Sequence, residues 1–191
     1  MTLAKKIDRK YTIKDYMGWP EDERWELIDG TAYNMTPAPT FRHQQLVGSF
    51  YRILADKLKG KSCVAAISPI DVVLSPSDVV QPDVVVVCDK KKITEANIQG
   101  APDIIVEVLS PSTALRDKRE KKALYEKHGV REYIIVDSLD NYLERYVLKD
   151  GVYGISEVFG PADMLVLQCL EGIEIRLGEV FEFEEKEGEH S

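Results

Sequence analysis

The chain has 191 residues, 44% hydrophobic and 30% charged, the length and balance of one globular domain rather than a fibre, a disordered chain or a membrane protein. No stretch approaches the ~20 apolar residues that span a bilayer, and the opening MTLAKKIDRKYTIKDY lacks the apolar core of a secretory leader, so a cytoplasmic protein is expected. The net charge of −8 opposes wholesale coating of nucleic acid, but it is uneven: residues 171–191 carry −6, while residues 114–131 carry +4.

A short helix is expected from Thr12, ending before Pro20. Residues 25–35 alternate around Asp29-Gly30, a strong hairpin signal. After TPAPT, a long helix should run from Phe41 to Lys59, capped by Thr40 and followed by Gly60, with Leu46, Val47, Phe50, Ile53, Leu54 and Leu58 on its apolar stripe. Strands are expected at 63–67, 70–74, 83–88 and 103–109. The last two are β-branched and nearly continuous, as in central strands covered on both faces. Residues 75–77 and 89–100 read as connections, the second with a short helical turn. A second helix should span Thr113 to His128 and stop at Gly129. Strands at 133–137 and 142–148, a turn at Asp150-Gly151, and strands at 165–170 and 173–177 complete the ordered part, leaving a frayed acidic tail over about 178–191. Cys63, Cys88 and Cys169 are too few and scattered for a disulfide framework or a zinc knuckle, and two of them sit in apolar surroundings, where they read as buried small hydrophobes. The expectation is one α/β (α+β) domain, core about 25–148, with a mixed sheet flanked by helices and extra hairpins at both ends. It has no GxGxxG, GxxxxGK[ST] or GxSxG motif.

Two carboxylates interrupt the buried strands. Asp83 opens QPDVVVVC and Glu107 lies near the end of PDIIVEVLS. Antiparallel pairing of these strands would make the two neighbours, whereas Asp103 would lie ~13 Å away at the other end of the ladder. Burying two carboxylates together is costly, and a divalent cation relieves both the desolvation and the repulsion. The competing reading is a pair of solvated carboxylates at strand edges. On the second helix, Ala114, Asp117, Lys121, Leu124, Tyr125 and His128 share one stripe. Lys121 is the lysine best phased to reach back over the Glu107 strand, with Lys118 and Lys122 poorer. An Asp117–Lys121 pair would also support the helix by itself. His43 extends the inward stripe of the long helix beside Gln44, where a packing role is commoner than a catalytic one. Glu26 and Tyr125 are supporting candidates.

Asp83 in QPDVVVV, Glu107 in GAPDIIVEVLSPST and the run RDKREKKALYEKHGVREYIIVD resemble the Uma-type endonuclease family of the PD-(D/E)XK nuclease superfamily, as do ERWELIDG, PAPTFRHQ and PIDVVLSP. The resemblance covers roughly residues 25–148. It implies a restriction-endonuclease-like core and metal-dependent hydrolysis of nucleic-acid phosphodiesters, DNA above all, by a homodimer. It makes Asp83 and Glu107 the catalytic acids that hold Mg²⁺ or Mn²⁺. The superfamily's usual lysine position falls at Leu109, and the resemblance moves that role to Lys121. Arg116, Lys118, Arg119 and Lys122 would grip the backbone, and His43 or Gln44 would touch metal, water or phosphate. The alternative is a catalytically inactive nuclease-like domain that binds nucleic acid or protein.

Overall fold

The structure is a computed structural model that describes residues 9–20, 22–35 and 38–182. The Thr12 amide donates to Asp15 Oδ2 (2.9 Å) at the start of α1 (Ile13–Tyr16). Asp29 and Gly30 both take positive φ, 48° and 70°, as a two-residue turn between β1 (Trp25–Ile28) and β2 (Thr31–Asn34) requires. The Thr40 hydroxyl accepts from the His43 amide and starts α2 (Phe41–Lys57). There follow β3 (Val64–Ile67), β4 (Val72–Ser75), β5 (Asp78–Val80), β6 (Val84–Val87), a 3₁₀ turn (Lys90–Lys92), β7 (Ile98–Gln99) and β8 (Ile104–Val108). One continuous helix over residues 114–128 joins α3 (Ala114–Arg116), a π-helical turn (Asp117–Lys121) and α4 (Lys122–His128). The chain continues through β9 (Glu132–Asp137), β10 (Tyr142–Lys149), β11 (Val152–Tyr153), β12 (Glu157–Phe159), β13 (Met164–Val166), β14 (Glu174–Arg176) and α5 (Leu177–Phe181).

The central sheet has the order β11-β10-β9-β8-β6-β3, with β12 also pairing β10. It is antiparallel except for β8–β9, which the 114–128 helix connects as a parallel crossover. Alternation divides its side chains. Val84, Val86, Ile104, Val106 and Ile134 pack with Leu46, Phe50 and Leu54 of α2. Val85, Val87, Ile105, Tyr133 and Ile135 pack with Leu124 and Tyr125 of α4. The mixed α+β architecture is the expected one, with three differences of detail. The amino-terminal hairpin is not an appendage. It joins β5, β4 and β7 in a second sheet, order β2-β1-β5-β4-β7, where β5 was given no element and β7 falls within the expected connection 89–100. Cys63 and Cys88, one position beyond the facing pair Val64 and Val87, form a disulfide. Chain spacing shows no such pairing, because the two lie 25 residues apart. Leu177, Val180 and Phe181 of α5 bury against the α2 side, so the chain is ordered beyond the expected start of the tail. The tail over 183–191 lies outside the described residues. No described helix is long and apolar enough to cross a membrane.

Candidate active site

β6 and β8 pair antiparallel with Val84 opposite Val106, so the next facing positions hold Asp83 and Glu107. Asp83 Oδ2 accepts the Val108 amide at 2.8 Å across the strand ends. Asp103 sits at the far end, accepting the Cys88 amide (2.8 Å) and facing Arg131 (3.3 Å). Glu107 shares its face with Ile105 and points beneath the crossover helix, only 4% exposed. Its Oε1 accepts from Tyr125 (2.7 Å) and from Lys121 Nζ (2.9 Å). Lys121 Nζ also lies 2.8 Å from Glu26 Oε1 on β1 and 3.6 Å from Asp117 Oδ1. Glu26 Oε1 accepts the Gln81 amide as well (3.1 Å). His43 reaches Asp83 from α2, Nε2 to Oδ2 at 3.3 Å, and its Nδ1 stands 3.3 Å from Gln44 Oε1.

The π-helical turn explains how one helix sends three charged side chains inward. A π turn closes between residues five apart. Arg116 and Lys121, five apart, are therefore both buried, with Asp117 beside them. Burial pushes the Glu107 carboxyl up to about 8 against the pull of Lys121. It raises Asp117 in the same way. Burial opposes the Lys121 charge, yet Glu107, Glu26 and Asp117 together hold its ammonium well above the ordinary lysine range. His43 is likewise raised, since the hydrogen bond and charge of Asp83 outweigh its burial.

These groups line one cavity of about 340 Å³, rimmed by Met35, Pro39, Pro69 and Pro111. The structure brings Glu26, His43, Gln44, Asp83, Glu107, Arg116, Asp117 and Lys121 to it. Tyr125 touches it through Glu107. The basic run does not form one patch. Lys118 pairs with Glu144 (2.7 Å), Lys122 lies over the Tyr146 ring (4.4 Å) and Arg119 is exposed, while Arg116 turns inward. Leu109 is buried in the core. Sequence reasoning missed Gln81, which supports Glu26 through its backbone, and Thr113, whose side chain bonds Asp117. It also missed that Arg116 faces the acids. A buried phase shared by Arg116 and Lys121 contradicts α-helical periodicity, so no helical pattern could have shown it.

The donor set suits a hard divalent cation. The partners of Asp83 converge on Oδ2 and those of Glu107 on Oε1, leaving each carboxylate a second oxygen. Among the described residues no group of three or more His, Cys, Asp and Glu is placed so that it could hold a metal ion by itself. Two carboxylates with water and substrate phosphate is the usual way proteins hold Mg²⁺.

The Uma2 family profile, described as "Putative restriction endonuclease", matches residues 13–178. The chain belongs to the Uma2 family. A relative, the "Uncharacterized protein slr1290" of Synechocystis sp., is 27% identical over 165 residues, covering 84% of this Uma2 chain and 86% of that protein. A crystal structure described as "a putative nuclease belonging to DUF820", from Anabaena variabilis, has a TM-score of 0.75 at 19% identity, covering 90% of this chain and 97% of that one. That likeness shows a shared fold.

Proposed function

We propose that this cavity is the active site of a metal-dependent nuclease that hydrolyses phosphodiester bonds of nucleic acid, DNA in particular. The observation that carries the reading is the pair Asp83 and Glu107 at facing strand-end positions, with Lys121 on Glu107 in the same cavity. Asp83 and Glu107 would hold Mg²⁺ or Mn²⁺. Such an ion, when bound, supplies charge for the scissile phosphate and a water of lowered pKa. Val108 N–H and His43 fix the Asp83 carboxylate, and the Tyr125 hydroxyl fixes Glu107 Oε1. The Lys121 ammonium stands where it can stabilise negative charge that develops on a phosphoryl oxygen. Glu26 and Asp117 position that ammonium. A homodimer belongs to this reading, and sedimentation at micromolar concentration tests for it.

The second reading, an inactive nuclease-like binding domain, is favoured by Leu109 in the usual lysine position and by the engagement of Lys121 in ion pairs. Titration calorimetry with Mg²⁺ or Mn²⁺, followed by a cleavage assay, separates the two. Metal binding and strand cleavage in the wild type, both lost in Glu107→Ala and cleavage lost in Lys121→Ala, are expected. Nucleic-acid binding without metal-dependent cleavage would favour the inactive domain.

A further inference from the structure

Within the nuclease reading, we infer that the recess takes a single strand of nucleic acid rather than an intact duplex, with one phosphate against Arg116 and a base stacked on Phe41. The reacting groups lie deep: Glu107 and Lys121 are 4% and 3% exposed, at the bottom of a cavity of about 340 Å³. That is the scale of a small-ligand pocket, not of a groove that accepts a rigid helix. A duplex presents its phosphates on a rigid, bulky helix, which hinders one of them from following such a recess to its floor. A single strand rotates freely about its backbone and can present one phosphate inward.

Arg116 gives that phosphate a partner. Its guanidinium is buried, lies over the Tyr33 ring (5.2 Å) and lines the cavity, yet among the described residues Nε and Nη1 have no hydrogen-bond partner, and the nearest carboxylate, Glu26 Oε2, is 3.9 Å from Nε. A desolvated guanidinium with donors to spare matches phosphate oxygens in geometry and charge. Phe41 supplies the second contact. It is 79% exposed at the first turn of α2, next to Thr40 and about one helical turn before Gln44, both of which line the cavity. An exposed aromatic beside a phosphate site is the recurring platform of single-strand binders, because every base has a face to stack. The surface outside the recess does not favour duplex. Lys118 pairs with Glu144, Lys127 with Asp29 and Arg131 with Asp103, which divides the positive charge a duplex backbone would follow.

Fluorescence anisotropy in EDTA, with a labelled strand of about 12 nucleotides and its blunt duplex, tests the inference. Wild type should bind the strand about tenfold more tightly than the duplex, and Phe41→Ala and Arg116→Gln should each lose about tenfold on the strand with duplex affinity unchanged. Phe41→Ala changes an exposed side chain, so it remains a valid probe if Arg116→Gln folds poorly, which circular dichroism reports. A single-stranded RNA serves as a second arm, and preference for either strand over its duplex supports the inference. Equal or tighter binding of duplex overturns it, as does a Phe41→Ala protein that binds strand like wild type. A parallel cleavage time course with Mn²⁺ keeps the two ideas apart. Cleavage of duplex at the rate of single strand sinks the strand preference and leaves the nuclease standing. Absence of cleavage on either substrate sinks the nuclease while the anisotropy still decides the preference.

Discussion

Lys121 is the side chain on which the buried site depends, since Glu26, Glu107 and Asp117 all converge on its ammonium. Removing one partner of a buried ion pair leaves the other charge uncompensated, at a cost of about 3–5 kcal/mol. Lys121→Met should therefore lower the thermal midpoint by roughly 10 °C in a chain of this size. A midpoint within a degree or two of wild type would mean that the carboxylates do not need the lysine. Asp78 is a second buried carboxylate, outside the lining of the cavity. Burial alone would raise its pKa, but the Ser75 hydroxyl, the Asp29 amide, His128 and Lys127 outweigh burial and hold it below the ordinary range. A depressed carboxylate stabilises the fold fully above its unfolded value of roughly 4, and that contribution disappears as pH falls through the folded value. The stability gap between wild type and Asp78→Asn should thus narrow as urea melts are taken from pH 6 toward pH 3. A gap independent of pH would refute the assignment. The pair Asp83 and Glu107 was legible in the sequence because strand alternation puts both beside buried neighbours. The Asp78–His128 contact was not, since it joins residues 50 apart.

At the level of elements, the 114–128 helix does the most unusual work. Its π-helical turn carries Arg116 to the buried side that Asp117 and Lys121 already share. Deleting Glu120, which is exposed within the turn, should restore α-helical winding with Arg116 and Lys121 four apart and still on one face. The far-ultraviolet spectrum and strand binding should both be retained; lost binding with the spectrum intact would show that Arg116 depends on the π winding itself. The helix end offers a contrast between two glycines. Gly129 takes φ 82° as its cap, a conformation that costs an L residue about 1 kcal/mol. Gly48, inside α2, has no atom within 4 Å of where a Cβ would stand. Gly129→Ala should destabilise and Gly48→Ala should stabilise, each by about 1 kcal/mol in denaturant titrations. The two helices and the central strands were visible in the sequence because each has its own period and cap. β5 was not: its three residues follow a Ser-Pro-Ser turn and become a strand only through β1 and β4 on either side.

Across the whole molecule, a net charge of −8 and a recess lined, among the described residues, by one buried arginine (Arg116) and one exposed arginine (Arg24) imply few phosphate contacts. Affinity for a single strand should then fall weakly with salt, with a log–log slope shallower than about −2. A slope of about −6 would mean that a broad basic surface takes part, and would count against recognition confined to the recess.

The amino-acid sequence by itself determined the secondary elements with strong periodicity, the mixed α+β class, the family, and the placement of two acids at adjoining strand ends. These follow from local rules: alternation in strands, stripes and caps in helices, and the steric demands of Asp29-Gly30 and Gly129. Only the tertiary structure decided that the first hairpin contributes Glu26 to the cluster from a second sheet, that Cys63 meets Cys88, and that Arg116 leaves the basic run to face the acids. Each of these depends on contacts between distant residues or on a helix wound off its usual period, and neither has a signature in the spacing of neighbours along the chain.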